Sequence, residues 1–220
     1  MLKILIRLAL FINFNATLRT AAKLEYGAGI FCFKLALRAQ AEGYLNLAKF
    51  LKAQFTEEDA HARMLGGLVD GVERLHRNTQ TGVWQRGEDY QALDGISQRY
   101  WAAKLFFNFQ KPQDLHWADI LAFMCVVEQQ VIKFYEVLSE FQDSRLKTQF
   151  IASVRATSCK ILQDELEHAS YLKNCITCFH ADPQGAIAYW QDRKILAALG
   201  GLMDLVVSYW SLVISQNRLT

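Results

Sequence analysis

Two copies of one short pattern constrain this 220-residue chain more than any other feature: Glu58-Asp59-Ala60-His61 and Glu165-Leu166-Glu167-His168. On a helix, positions i and i+3 share a face, so each Glu-x-x-His offers a carboxylate and an imidazole to one metal ion. With only 5 His in the chain, composition alone supplies about a quarter of one such motif. Each copy also has a lone Glu upstream in its own apolar helical run, Glu25 standing 33 residues before Glu58 and Glu128 37 residues before Glu165.

If each interval is an antiparallel helical hairpin, its two Glu residues stand level only when the turn falls near the midpoint. Gln40-Ala41-Glu42-Gly43 marks the first midpoint, and Gln142-Asp143-Ser144-Arg145 lies just before the second. Two such hairpins bring four Glu and two His to one depth. That is the ligand set of a di-iron carboxylate bundle, with one Glu from each of two helices and a Glu-x-x-His from each of the other two.

The composition supports an all-α chain. It is 52% hydrophobic, enough for one substantial core, and its 2 Pro are Pro112 and Pro183. Apolar residues recur at helical spacing, with no strand-like alternation. The reading is a single domain over 1–220: an apolar segment over 1–14, a four-helix bundle with a long crossover over 15–180, and a C-terminal helix within 184–217. Helix starts are expected at the cap Asn15 and near Tyr44, about 115 and about 145. The first two run to Gln40 and His76. Nearly forty residues then separate His76 from the third bundle helix, too many for a hairpin, so a crossover is expected there, with an extra helix carrying Tyr100, Trp101, Phe106 and Phe107.

Other features exclude function classes. A net charge of +2, dispersed along the chain, gives no basic face for nucleic acid. Five scattered Cys make no disulfide framework and point to a reducing compartment, the cytoplasm. Cys175-x-x-Cys178 with His180 lacks a fourth metal ligand and is read as structural. The first fourteen residues are too short to span a bilayer. Packing against the bundle and a peripheral membrane contact both stay open for them. In the last helix, Asp204 argues against spanning.

Particular residues carry a family resemblance over about residues 20–175, to the ferritin-like superfamily. Glu42-Gly43-Tyr44 followed by Glu57-Glu58-Asp59-Ala60-His61-Ala62, with Glu25 upstream, is similar to the first hairpin of rubrerythrins. Glu25-Tyr26-Gly27-Ala28, Val127-Glu128 with Tyr135, and Asp164-Glu165-Leu166-Glu167-His168 resemble the demethoxyubiquinone hydroxylase family across both hairpins. Ala22-Lys23-Leu24 departs from that family's His-Ala-Gly before the first Glu.

The expected catalytic and metal-ligating residues are therefore Glu25, Glu58, His61, Glu128, Glu165 and His168 around two iron ions, with manganese an alternative occupant. Glu58 and Glu165 bridge; Glu25 and Glu128 are terminal. Their carboxylates offset the ionic charge, where a set of buried salt bridges would need Lys or Arg that the pattern lacks. Glu57, Asp59, Asp164 and Glu167 are read as facing solvent or lying behind the ligands. One and two turns beyond the terminal Glu residues lie Gly29 and Cys32 on one side, and Ile132 and Tyr135 on the other, read together as a substrate pocket. A helical Gly costs about 1 kcal/mol against Ala, so Gly29 marks either close helix packing or, as this reading has it, an open channel.

The resemblance implies a di-iron, O2-activating hydroxylase. Its partners would be O2, a hydrophobic and quinone-like small molecule, and an external electron donor, since there is no second Cys-x-x-Cys for a rubredoxin module. Homo-oligomerisation stays open. A rubrerythrin-like peroxidase or ferroxidase and a non-catalytic iron-binding protein are the alternatives.

Overall fold

A computed structural model describes residues 2–70, 114–144, 146 and 148–193. Among them every regular element is helical, and the chain is an all-α helical bundle. The elements are α1 (Leu2–Ile12), α2 (Phe14–Ala41), α3 (Leu45–Asp70), α4 (Trp117–Ser139), α5 (Thr148–Ile176) and a last helix, α6, over 183–193. The crossover helix with Tyr100, Trp101, Phe106 and Phe107, the end of the second bundle helix at His76, and the C-terminal stripe near Asp204 lie outside the described residues.

The described residues fall into two compact units. One, within Met1–Arg77 and Val127–Cys175, holds α1, α2, α3, α5 and the part of α4 from Val127 onward. Its α2–α3 turn has the backbone pattern that closes a helix on glycine: Tyr44 N–H donates to the Ala39 carbonyl (2.8 Å) and Gly43 N–H to that of Gln40 (3.2 Å). Gly43 sits at φ 84, a left-handed conformation open to glycine without strain. α2 and α3 thus form the first antiparallel hairpin, turning where the sequence places it. The second turn, between Ser139 and Thr148, also brackets its expected midpoint.

The helix cap differs from expectation by two residues. Asn13, not Asn15, caps α2, its Oδ1 accepting from Ala16 N–H at 3.0 Å. The break this makes between α1 and α2 lets Leu10, Phe14 and Leu18 enter one core with Leu65, Val69, Tyr135, Leu138, Val154 and Ile161. Phe14 packs edge-on against Phe150 and tilted against Phe141. The apolar first segment is therefore a helix packed on the bundle, held also by Lys3–Glu136 (2.9 Å) and Arg7–Glu140 (3.3 Å). Its opposite face is equally apolar: Ile4, Leu5, Leu8, Phe11 and Ile12 are exposed. None of the described helices is long and apolar enough to cross a membrane.

In the second unit, within Asn78–Val126 and Ile176–Thr220, Asp182 opens α6 by accepting from Gly185 N–H at 2.9 Å, with Pro183 in the first turn where its missing N–H is harmless. Trp190 donates to Asp119 at 3.2 Å and packs near Phe123. None of the five cysteines is in a disulfide, and the His180 ring is engaged by the Asp182 backbone at 2.8 and 3.0 Å.

Candidate metal centre

In the first unit α2, α3 and α5 each carry a buried stripe at intervals of three and four residues, and the ligand candidates on them occupy stripe positions that would otherwise be apolar. On α2 the stripe is Leu18, Ala21, Glu25, Gly29, Cys32, Ala36 and Ala39. On α3 it is Leu47, Leu51, Gln54, Glu58, His61, Leu65 and Val69, and on α5 it is Val154, Ser158, Ile161, Glu165, His168, Leu172 and Ile176. Glu128 and Tyr135 are the corresponding buried residues of α4. Periodicity therefore aims six polar side chains inward, and the matched hairpin lengths bring them to one level.

The six fall into two groups of four. Glu25, Glu58, His61 and Glu165 have ligand atoms within 4.8 Å of one another, as do Glu58, Glu128, Glu165 and His168. Glu58 and Glu165 belong to both. All six side chains are buried, and no Lys or Arg appears among the buried polar residues described. Unpaired buried carboxylates cost several kcal/mol each (about 2 to 7 for a polar group, more for a charge), so this set calls for cations.

The histidines are turned for ligation. His61 Nδ1 lies 3.2 Å from Glu165 and 3.6 Å from Glu58; His168 Nδ1 lies 3.3 Å from Glu165 and 3.5 Å from Glu58. Each Nε2 points away, to a carboxylate of the opposite hairpin: His61 to Asp164 at 3.0 Å and His168 to Glu57 at 2.7 Å. With Nε2–H donated outward, each Nδ1 lone pair faces the interior. Phe50 packs edge-on to His168 and stacks on Tyr171, closing that flank.

Among the described residues, four buried side-chain atoms lack a hydrogen-bond partner: Gln54 Oε1, Glu58 Oε2, His61 Nδ1 and Glu165 Oε1. Three of them belong to the ligand set. Left without an ion, each carries a desolvation penalty that a metal bond removes. Donor type, burial and these orphaned atoms together fit a cluster that could hold metal.

Protons are held abnormally in the metal-free cluster. Burial, reinforced by Glu58, pushes Glu25 well above the usual carboxylate range; burial and the nearby Glu165 and Glu58 do the same to Glu128. Burial would lower His61, but contacts with Glu165, Glu58 and Asp164 outweigh it and hold it up at about 11. His168, by the same opposition with Glu165 and Glu57, lies at about 9. Burial would raise Glu165, yet His168 and His61 keep it down at about 2.

Metal ions must displace the protons held by the two histidines and the raised carboxylates, so apparent affinity rises with pH from about 6 to about 8 and loading releases protons. Titration of the metal-free protein with Mn(II) or Fe(II) in weak buffer containing a pH indicator reads both. An affinity that does not change over that range is inconsistent with these ligands.

Three partners of the ligands come from outside the expected set. Gln54 is 1% exposed and donates through Nε2 to Glu128 (2.7 Å) and Glu58 (3.3 Å), tying the two hairpins together. Its signal was a polar residue one turn before Glu58 in an apolar stripe. Glu57 and Asp164 stand behind the histidines, and their signal was that both motifs read acid-Glu-x-x-His.

The open channel expected at Gly29 is closed by a helix contact. A Cβ on Gly29 would lie 3.1 Å from Glu58 Cβ and 3.3 Å from the Phe55 carbonyl oxygen, so Gly29 is where α2 and α3 touch, not an open channel. Tyr135 is fully buried and its hydroxyl donates to Glu25, which makes it a partner of a ligand. Cys32 is buried beside the cluster, where desolvation and the carboxylates Glu58, Glu128 and Glu165 keep its thiol protonated. Ile132 is half-buried on α4. None of the four lines the cavity that reaches a ligand.

Fold and site together define a class: an all-α bundle with a buried carboxylate and histidine cluster that could hold metal. The chain matches no protein-family model, and neither the curated proteins nor the solved structures contain a match to it.

Proposed function

We propose that this protein is a ferritin-like di-iron carboxylate oxygenase that uses O2 to hydroxylate a hydrophobic, quinone-like small molecule. The observation that carries the reading is the pair of four-residue groups sharing Glu58 and Glu165. Glu25 and His61 would complete one metal position, Glu128 and His168 the other, with iron favoured and manganese the alternative. When bound, a ferrous pair supplies electrons for reductive activation of O2.

The chain's own residues would do the rest. Asp164 and Glu57 hold His61 and His168 in the tautomer that presents Nδ1. Gln54 fixes Glu128 against Glu58. Tyr135 holds its proton against Glu25, the one terminal carboxylate with a phenol partner, and keeps that oxygen from turning inward. The apolar stripes above and below exclude water from the cluster. Electrons come from an external donor in this scheme, and the exposed apolar face of α1 is suited to peripheral contact with a membrane that stores the substrate.

An O2 electrode and mass spectrometry of lipid extracts test the proposal. The iron-loaded protein with a chemical reductant is expected to consume O2, and cells lacking the protein to accumulate an apolar compound one oxygen atom short of the missing product. Peroxide consumption or iron oxidation with no such product replaces this reading with a rubrerythrin-like or ferroxidase one. Full stability with the metal removed, together with no reaction with O2 when iron-loaded, replaces it with a non-catalytic iron-binding or scaffold protein.

A further inference from the structure

On the side of Glu25 away from Gly29, a cavity of about 490 Å³ opens between α1, α2 and α4. We propose that this groove admits an uncharged, hydrocarbon-rich small molecule to the cluster by way of Glu25. Its volume is in the range of sites for drug-sized ligands, roughly 300 to 1,000 Å³. Leu2 and Ile6 of α1, Leu24 of α2, and Val131 and Phe134 of α4 supply apolar walls, and among the described residues the one ionisable side chain in the lining is Glu25.

The polar residues on the walls are already engaged. Thr17 donates to the Asn13 and Ala9 carbonyls (2.9 and 3.2 Å), Thr20 to that of Ala16 (2.9 Å), and Asn13 Oδ1 accepts from Ala16 N–H. Gln130 also has its own partner. Asn13, Thr17 and Thr20 thus direct these bonds to the protein's own backbone, and the apolar walls present hydrocarbon to an occupant. Among the described residues no Lys or Arg lines it, and a carboxylate or phosphate carried inward would be desolvated without a cationic partner.

The groove also communicates with the cluster. Glu25 and Glu128 each retain 6% exposure while Glu58, His61, Glu165 and His168 retain 0 to 2%, and of these two only Glu25 lines the groove. Phe134, a wall residue, packs edge-on against Tyr135 at 5.3 Å, and Tyr135 donates to Glu25. The larger cavity on the other flank of α1, about 710 Å³ between Phe11 and Phe141, touches none of the six ligands and carries the Arg7–Glu140 pair. The wall contributed by α1 lies outside the stretch that carries the family resemblance.

Delivery to a reacting metal pair rests on the proposed function, whereas occupancy of the groove does not, and one experiment separates them. The uncharged fluorophore N-phenyl-1-naphthylamine is titrated into the full chain, metal-loaded and metal-free, and displaced with dodecanol or dodecanoate. We expect Thr20→Trp, which fills the groove, to weaken probe binding about ten-fold or more. Ala16→Trp should do the same if Thr20→Trp misfolds, and Ser144→Trp, in the other cavity, should leave binding unchanged. Dodecanol should displace the probe at a concentration about ten-fold lower than dodecanoate does. Unchanged binding in folded Thr20→Trp and Ala16→Trp, loss in Ser144→Trp, or stronger displacement by dodecanoate overturns the proposal. Metal analysis of the same samples reads the other claim: fewer than two ions per chain with the probe results intact removes the di-iron reading and leaves the groove.

Discussion

Glu165→Ala is expected to abolish metal binding almost completely, from about two ions per chain to well under one. Glu165 is fully buried and sits between the two imidazoles, 3.2 Å from His61 and 3.3 Å from His168, in both ligand groups. Removing it takes a carboxylate from each position at once. Glu58→Ala should behave alike, for Glu58 is also common to both groups. Glu25→Ala and Glu128→Ala remove a ligand from one group only, so each should keep about one ion. The contrast between shared and unshared ligands is the diagnostic. Elemental analysis after dialysis against a weak chelator reads it, with circular dichroism to establish that the variants are folded. Retention of about two ions by folded Glu165→Ala and Glu58→Ala contradicts the assignment of the bridging pair.

Much of the site was legible because two independent regularities had to agree. Spacing within each motif aims Glu and His to one face, and spacing between motif and upstream Glu equals a hairpin with its turn at Gly43 or near Ser144. Either alone is common; together they leave little freedom, and the cluster falls on the named residues. What escaped were relations across the bundle. Glu57 and Asp164 read on a single helix as facing solvent or lying behind the ligands, and the facing hairpin decides for the second by making them partners of His168 and His61. Gln54 is the same case. The cap moved from Asn15 to Asn13 because α1 packs into the same core, a tertiary fact that local capping preference does not contain. The crossover, read from the length between His76 and the third bundle helix, lies outside the described residues.

Gly29 is the clearest example of one residue with two sequence readings and one structural answer. A glycine in mid-helix is consistent with a channel or a close approach, and the two differ in what a larger side chain does. In the structure an added Cβ meets Glu58 Cβ at 3.1 Å, the Phe55 carbonyl oxygen at 3.3 Å and the Phe55 ring at 3.4 Å. Two of these three atoms are backbone or the root of a side chain, so they can yield only if α2 and α3 move apart. Gly29→Ala gains about 1 kcal/mol of helix propensity, which offsets part of that strain and leaves a small net change. Gly29→Leu adds three further carbons to the same contact, and overpacking of this kind costs about 1 to 3 kcal/mol, occasionally more. The displaced neighbour is Glu58, a shared ligand, so the loss should appear in metal content as well as stability. The expected result is a marked fall in melting temperature and loss of both ions in Gly29→Leu, with Gly29→Ala close to the parent. A Gly29→Leu protein that melts normally and holds its full metal complement would return the channel reading at this position.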